Sequence, residues 1–338
     1  MAISNIDPTF PFIDLHRHLD GSVRLETILE LGRQHNIPLP GSTVEELRPH
    51  AQVTEPQPGL MAFLAKMLWA TRVLADGEAC RRIARENVED AQREGIDYLE
   101  LRFSPYFMAE PHQLDMAEVI EGAVAGVAEG MESTGVRVNL IGILSRTYGA
   151  EVCHRELEAL LASREHFVAL DLAGDEANYP APLFVEHFKK GRDAGWRVAV
   201  HAGEAGGPQS VWDAVKLLGA ERIGHGTRAL EDPKLAEYLA EKRVPIEANL
   251  TSNVHTSTVA DLASHPLRKM MARGLVCSIN TDDPGLSGID LRHEFEVAAP
   301  AAGLSAEQIR QAQINALETA FLSEEEKRQL RENRQSVR

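Results

Sequence analysis

Cysteine is scarce in this chain and follows no pattern. The 338 residues include three, Cys80, Cys153 and Cys277, odd in number and far apart. None forms a Cys-x-x-Cys pair, which argues against a disulfide framework and against a thiolate zinc site. Such thiols read as small, partly buried hydrophobes in a reducing cytoplasm. No run approaches about eighteen consecutive apolar residues, so no transmembrane helix is expected. The opening stretch, Met1 to Pro8, has neither a basic region nor an apolar one, so no signal peptide is expected there. Positive charge is in deficit, with 35 Lys+Arg against 51 Asp+Glu and a formal net charge of −16. That balance argues against sequence-independent nucleic-acid binding and against an anionic membrane surface, both of which need a basic footprint. A small neutral substrate is compatible with it. A Gly-x-Gly-x-x-Gly fingerprint is also missing, which weighs against a doubly wound dinucleotide-binding sheet.

What is present is alternation. Short apolar runs that read as strands lie at 12–18, 98–103, 136–143, 168–172, 197–201, 222–224, 245–248 and 276–280. Amphipathic helical stretches lie between them at 114–131, 156–162, 183–194, 211–218 and 234–241. Eight strands with intervening helices predict an α/β fold, a (β/α)8 TIM barrel, with the whole chain, 1–338, as one catalytic domain. A composition of 43% hydrophobic and 25% charged residues is ordinary for a soluble globular protein. Two insertions exceed a minimal barrel. After the first strand come a helix at 25–34, a Pro-spotted stretch and a dense apolar segment at 60–69. The region around 57–75 is either an extra helix packed on the barrel or a lid over its mouth. After the eighth strand, 291–299, 305–316 and 323–332 read as three further helices, the last with Ser323 as N-cap.

Chemistry-bearing residues gather at predicted strand ends. His16 and His18 close the first strand, and positions i and i+2 of a strand share a face. His201-Ala202-Gly203-Glu204 follows the fifth strand, Gly224-His225-Gly226 the sixth, and Asn280-Thr281-Asp282-Asp283 the eighth. Glycines flanking His225 leave its imidazole uncrowded. Three histidines and one aspartate make a mixed N/O set suited to zinc with room for water, whose pKa a metal lowers towards ~7. His225 is placed to orient or deprotonate that water, and Glu204 to supply a proton to the group attacked.

In order, His16-Arg17-His18-Leu19-Asp20-Gly21, Asp171-Leu172-Ala173-Gly174-Asp175-Glu176, His201-Ala202-Gly203-Glu204, Arg222-Ile223-Gly224-His225-Gly226, Leu250-Thr251-Ser252-Asn253 and Asn280-Thr281-Asp282-Asp283-Pro284 resemble the adenosine deaminase family in its bacterial branch. The resemblance spans roughly residues 12–331. It implies a metal-dependent hydrolase barrel carrying one zinc ion per chain on His16, His18, His201 and Asp282. It implies Glu204 as proton donor to purine N1, and His225 as the residue that positions and helps activate water. It also implies that Asp283 bonds N7, the Gly174 amide reaches N3, and Asp20 binds the ribose 5′-hydroxyl, with His18 also lining the substrate site. Water then adds to C6 of adenosine or 2′-deoxyadenosine and ammonia leaves, a reaction of purine salvage. Adenine or another aminopurine on the same barrel is the alternative. Adenine-acting relatives tend to carry Glu-Gly where this chain has Asp20-Gly21, so Asp20 favours a ribose-bearing substrate. A binuclear amidohydrolase is disfavoured because no lysine stands near Leu172-Ala173-Gly174 at the end of the fourth strand.

Overall fold

In the computed structural model the described residues are 5–336. Met1–Ser4, half of the segment expected not to be a signal peptide, lie outside them. Eight strands form: β1 Ile13–His18, β2 Tyr98–Phe103, β3 Arg137–Ser145, β4 Phe167–Ala173, β5 Arg197–Ala202, β6 Arg222–His225, β7 Ile246–Ala248 and β8 Cys277–Ile279. They pair in parallel in sequence order, β1 through β8. A bridge between Arg17 and Asp282 brings the last strand's end back to the first. There the His18 N–H donates to the Asp282 carbonyl at 2.8 Å, and the Asp282 N–H donates to the His16 carbonyl at 2.7 Å. The barrel is thus closed at its C-terminal rim, where active sites of this fold sit.

The strands form as expected for segments covered on both faces: every residue of β1, β2, β6, β7 and β8 is buried. Beneath the rim the interior holds buried charge as well as apolar side chains. Arg102 pairs with Asp171 and Glu247 at 2.7 and 2.9 Å, and Arg222 bridges Glu247 and Glu100.

Between β1 and β2 lie four helices: α1 Leu25–Gln34, α2 Val44–Ala51, α3 Leu60–Arg72 and α4 Gly77–Glu94. The first and third match the expected segments; α2 and α4 were not anticipated. In α4 the sequence is rich in Arg and Glu, and its buried face is made of small residues, Ala79, Cys80, Ala84 and Ala91, with Ile83 and Val88. Such a face carries little apolar signal, yet it allows close packing against the helix Met116–Thr134. The expected helix at 211–218 instead starts at Pro208 and ends in a π turn, Ala214–Leu218. At the C-terminus a helical segment over 291–301 precedes Ala306–Thr319 and Glu324–Ser336. Ser323 Oγ accepts from the Glu326 N–H while the Glu326 carboxylate accepts from the Ser323 N–H, a capping box. No helix among the described residues is long and apolar enough to cross a membrane.

Candidate metal centre and active site

β1 places His16 and His18 as its alternation predicts. Their Nε2 atoms lie 3.1 and 3.2 Å from His201 Nε2 at the end of β5. Asp282 Oδ1, just past β8, lies 3.2 Å from the Nε2 of both His16 and His18. One donor atom from each of these residues falls within 4.8 Å of all the others, and all four side chains are buried.

What lies behind the rings decides what these contacts mean. His16 Nδ1 is 2.6 Å from Glu247 Oε2, and His201 Nδ1 is 3.0 Å from Asp171 Oδ2. Burial alone would raise both carboxyls. Arg102 and Arg222 nevertheless hold Glu247 well below the usual carboxylate range, and His201 and Arg102 do so for Asp171. Ionised carboxylates only accept, so each Nδ1 carries the proton and each Nε2 presents a lone pair. Burial pushes His201 down to about 4, which keeps it neutral at pH 7. Nε2 lone pairs aimed at one another, with a carboxylate oxygen among them, repel unless a cation sits at their focus. Three nitrogens and one oxygen at that focus fit a divalent ion of the zinc type.

Two backbone features keep the cluster tight. His225 and Asp282 adopt φ of +63° and +68°, a left-handed conformation uncommon outside glycine and typical of functional sites. Gly224 is needed for close approach, since a Cβ there would sit 2.9 Å from His16 Cε1. The glycine therefore makes room for the His16 ring.

Glu204 is buried above β5, its Oε2 3.7 Å from His225 Nε2. Burial, with Asp282, Glu176 and Asp283 nearby, pushes its carboxyl well above the usual range. Asp283 is likewise raised, by burial and then by Asp282 and Asp20. Asp20 Oδ1 and Asp283 Oδ1 are buried without a hydrogen-bond partner, and both residues line the cavity. The same cavity, about 260 Å³, is lined by His18, Gly174, His201, Glu204, His225 and Asp282. His16 sits just behind it. Across from them α3 supplies Leu60, Met61, Phe63, Leu64, Met67 and Leu68. The insertion after β1 thus forms a wall of the mouth.

Several residues that sequence reasoning left without a role hold this set in place. Asp171 and Glu247 orient two of the imidazoles. Ser252 Oγ donates to Asp282 Oδ2 at 2.6 Å. The Glu176 carboxylate accepts four consecutive backbone N–H groups, from Gly203, Glu204, Ala205 and Gly206, at 2.6–3.1 Å. It thereby fixes the loop that carries Glu204. A signal was available for two of them: Asp171 and Glu247 are single acids inside otherwise apolar strands.

A closed parallel barrel whose strand ends converge imidazoles and a carboxylate on one point defines an enzyme of the metal-dependent hydrolase class. The sequence profile of the family described as Adenosine deaminase matches residues 11–336. An adenosine deaminase of Escherichia coli O1:K1 / APEC is 59% identical over 97% of this chain and 98% of its own length. The crystal structure of an adenine deaminase from Arthrobacter aurescens superposes with a TM-score of 0.89 at 27% identity, covering 97% of this chain and 99% of its own. An N6-methyl-AMP deaminase from Arabidopsis thaliana shares the fold, with a TM-score of 0.82 at 24% identity over 98% and 97% of the two chains. The chain belongs to the adenosine deaminase family.

Proposed function

We propose that this chain is an adenosine deaminase that hydrolyses adenosine and 2′-deoxyadenosine to inosine and 2′-deoxyinosine with release of ammonia, the whole chain acting as one catalytic domain. The observation that carries the reading is a buried Glu204, whose carboxyl burial and the neighbouring acids push upward, beside a focus of four donor atoms. His16, His18, His201 and Asp282 would hold one zinc ion. When bound, that ion supplies the Lewis acidity that makes water a nucleophile near neutral pH.

The remaining work falls to side chains. Attack at C6 pushes electrons onto N1, and a protonated Glu204 delivers its proton there as they arrive. His225 fixes the position of the incoming oxygen. Asp283, whose carboxyl is pushed upward by burial and then by Asp282, would offer an O–H to the N7 lone pair. The Gly174 N–H meets N3. Asp20 turns its unpartnered Oδ1 to the ribose 5′-hydroxyl, and His18 lines the same side. The apolar face of α3 excludes water from the reacting centre. Three buried, unpaired cysteines support a reducing, cytoplasmic setting.

A kinetic panel of adenosine, 2′-deoxyadenosine, adenine and AMP, following loss of the adenine absorbance band, tests this, with metal content measured on the same sample. Adenosine and deoxyadenosine are expected to turn over fastest, with close to one zinc per chain. Faster turnover of adenine would move the assignment to an adenine deaminase, and would remove the role given to Asp20.

A further inference from the structure

His225 is the imidazole at the site that stands outside the converging ligand set. Its Nε2 faces two carboxylate oxygens, Glu204 Oε2 at 3.7 Å and Asp282 Oδ2 at 3.8 Å. Its Nδ1 faces away from the cavity. Asn253 Nδ2 lies 2.8 Å from that Nδ1, and Asn249 Nδ2 3.3 Å from it. Asn253 Oδ1 lies 3.1 Å from Nε2 of a further histidine, His265. His265 Nδ1 lies 3.1 Å from the backbone nitrogen of Leu267. All three side chains in this row are buried.

The row has one polarity, fixed at its far end. A backbone N–H only donates, so His265 Nδ1 accepts. A neutral imidazole with its lone pair on Nδ1 carries its proton on Nε2. His265 therefore donates to Asn253, which must present its carbonyl oxygen to His265. The Asn253 amide N–H then points at His225 Nδ1, which accepts. The proton of neutral His225 is left on Nε2, facing the cavity. An imidazole that accepts at one nitrogen is neutral, so the same hydrogen bonds that set the direction of the row also exclude the imidazolium at His265 and at His225. Reversing any member would set two N–H groups, or two lone pairs, head to head in a buried place.

We propose that His265 and Asn253 are positioning residues that lock His225 as its Nε2–H tautomer, making it a hydrogen-bond donor towards the oxygen at C6 and not a proton acceptor at that atom. The donor role rests on the deaminase reading; the tautomer does not. His16 and His201 show the opposite setting, since Asp171 and Glu247 hold their protons on Nδ1 and free Nε2 as ligand atoms. Opposite proton placements are thus enforced within one cluster, each by what lies behind the ring.

The test is nitrogen NMR on metal-loaded protein with 15N-labelled histidine. The 13 histidines are resolved by comparing spectra of His225→Gln and His265→Gln. The expected result is an unprotonated His225 Nδ1 and a protonated Nε2. A protonated Nδ1 overturns the proposal. Asn253→Asp is nearly isosteric and presents an acceptor to both rings, so it should flip His225 to the Nδ1–H form. With adenosine, kcat should then fall roughly a hundredfold, the scale of losing one aimed donor, while KM changes little. A flipped tautomer with unchanged kcat overturns the donor role. His265→Gln keeps an N–H towards Asn253 and should recover about tenfold or more of the kcat lost in His265→Leu. Equal loss in both, with the wild-type tautomer retained, overturns the relay in favour of simple packing. If the tautomer is found as stated but adenosine is not deaminated, the functional reading fails and the tautomer assignment stands.

Discussion

On the barrel side of the cavity, His18, His201, Glu204, His225, Asp282 and Asp283 stand at strand ends; on the opposite side α3 offers Leu60, Met61, Phe63, Leu64, Met67 and Leu68. The two walls are held by different forces. Most barrel-side groups are tied from behind: His201 to Asp171, Asp282 to Ser252, His225 to Asn253, and the Glu204 loop to Glu176. The first of these ties ends in the buried Arg102–Asp171 ion pair, which costs several kcal/mol to break singly; the others are buried hydrogen bonds, costly to leave unmade. The α3 wall is held by packing of flexible apolar side chains, whose contacts are individually small and tolerant of adjustment. Hydrogen bonds with fixed directions suit a wall that must aim lone pairs and protons. Dispersion suits a wall that only has to exclude water and accept a substrate.

Changes on the barrel side should therefore act on kcat and metal affinity, and changes on α3 on KM. The largest effect is expected for Glu204→Gln: kcat for adenosine falls by about 10²–10⁴-fold, with adenosine binding by calorimetry retained. Unchanged turnover would remove the acid role. Glu247→Gln comes next. Loss of its charge frees His16 and leaves Arg102 and Arg222 short of a partner. Zinc affinity, read by competition with a chelator, should drop about 10–100-fold. Urea stability should fall by up to about 3–5 kcal/mol. Wild-type values in both assays would show that the ion pairs do not support the site. On the other wall, Leu64→Ala should raise KM several-fold, the equivalent of about 1–2 kcal/mol of lost apolar burial, with kcat nearly constant. A kcat loss exceeding the KM change would break the division between the walls.

The smallest effect concerns Glu156, which lies fully buried behind the barrel-side wall. It accepts from Ser104 Oγ at 2.5 Å and from the Ser145 N–H at 2.7 Å. Burial pushes it up to about 7. Between the ordinary carboxylate pKa and about 7 the folded chain holds this proton more tightly than the unfolded chain does. Its contribution to stability is thus complete at low pH and is lost as pH rises through that window. Glu156→Gln should flatten the difference between urea midpoints at pH 5 and pH 8. Identical slopes in both proteins would show that Glu156 ionises normally.

The barrel was legible because each strand is a short apolar run, and β2 was expected with its observed limits, Tyr98–Phe103. The ligands were legible because a histidine or aspartate at the end of such a run has little structural use. In the structure one donor atom from each of the four side chains lies within 4.8 Å of the others, and Asp20, Gly174, Glu204, His225 and Asp283 line one cavity. Helix α4 was not legible, because its buried stripe is alanine and cysteine, with only Ile83 and Val88 as larger hydrophobes and Glu86 and Asn87 buried among them. Nor was the support behind the rings. Glu247 meets His16 through barrel closure, His265 reaches His225 through Asn253, and Glu176 acts on backbone rather than on side chains. None of these pairings has a fixed spacing in sequence, so each emerges only when distant strands are assembled.

Barrel closure occurs at the ligand cluster itself, where the Asp282 backbone bonds to His16 and His18. The first and last strands of the barrel are thus joined by the same few residues that would grip the ion. A chain still being synthesised would present His16, His18 and His201 without their fourth ligand until β8 had emerged. A bound ion would act as a clasp between the first and last strands. Its capture would require the final strand to have docked, and its removal should loosen both ends of the barrel together.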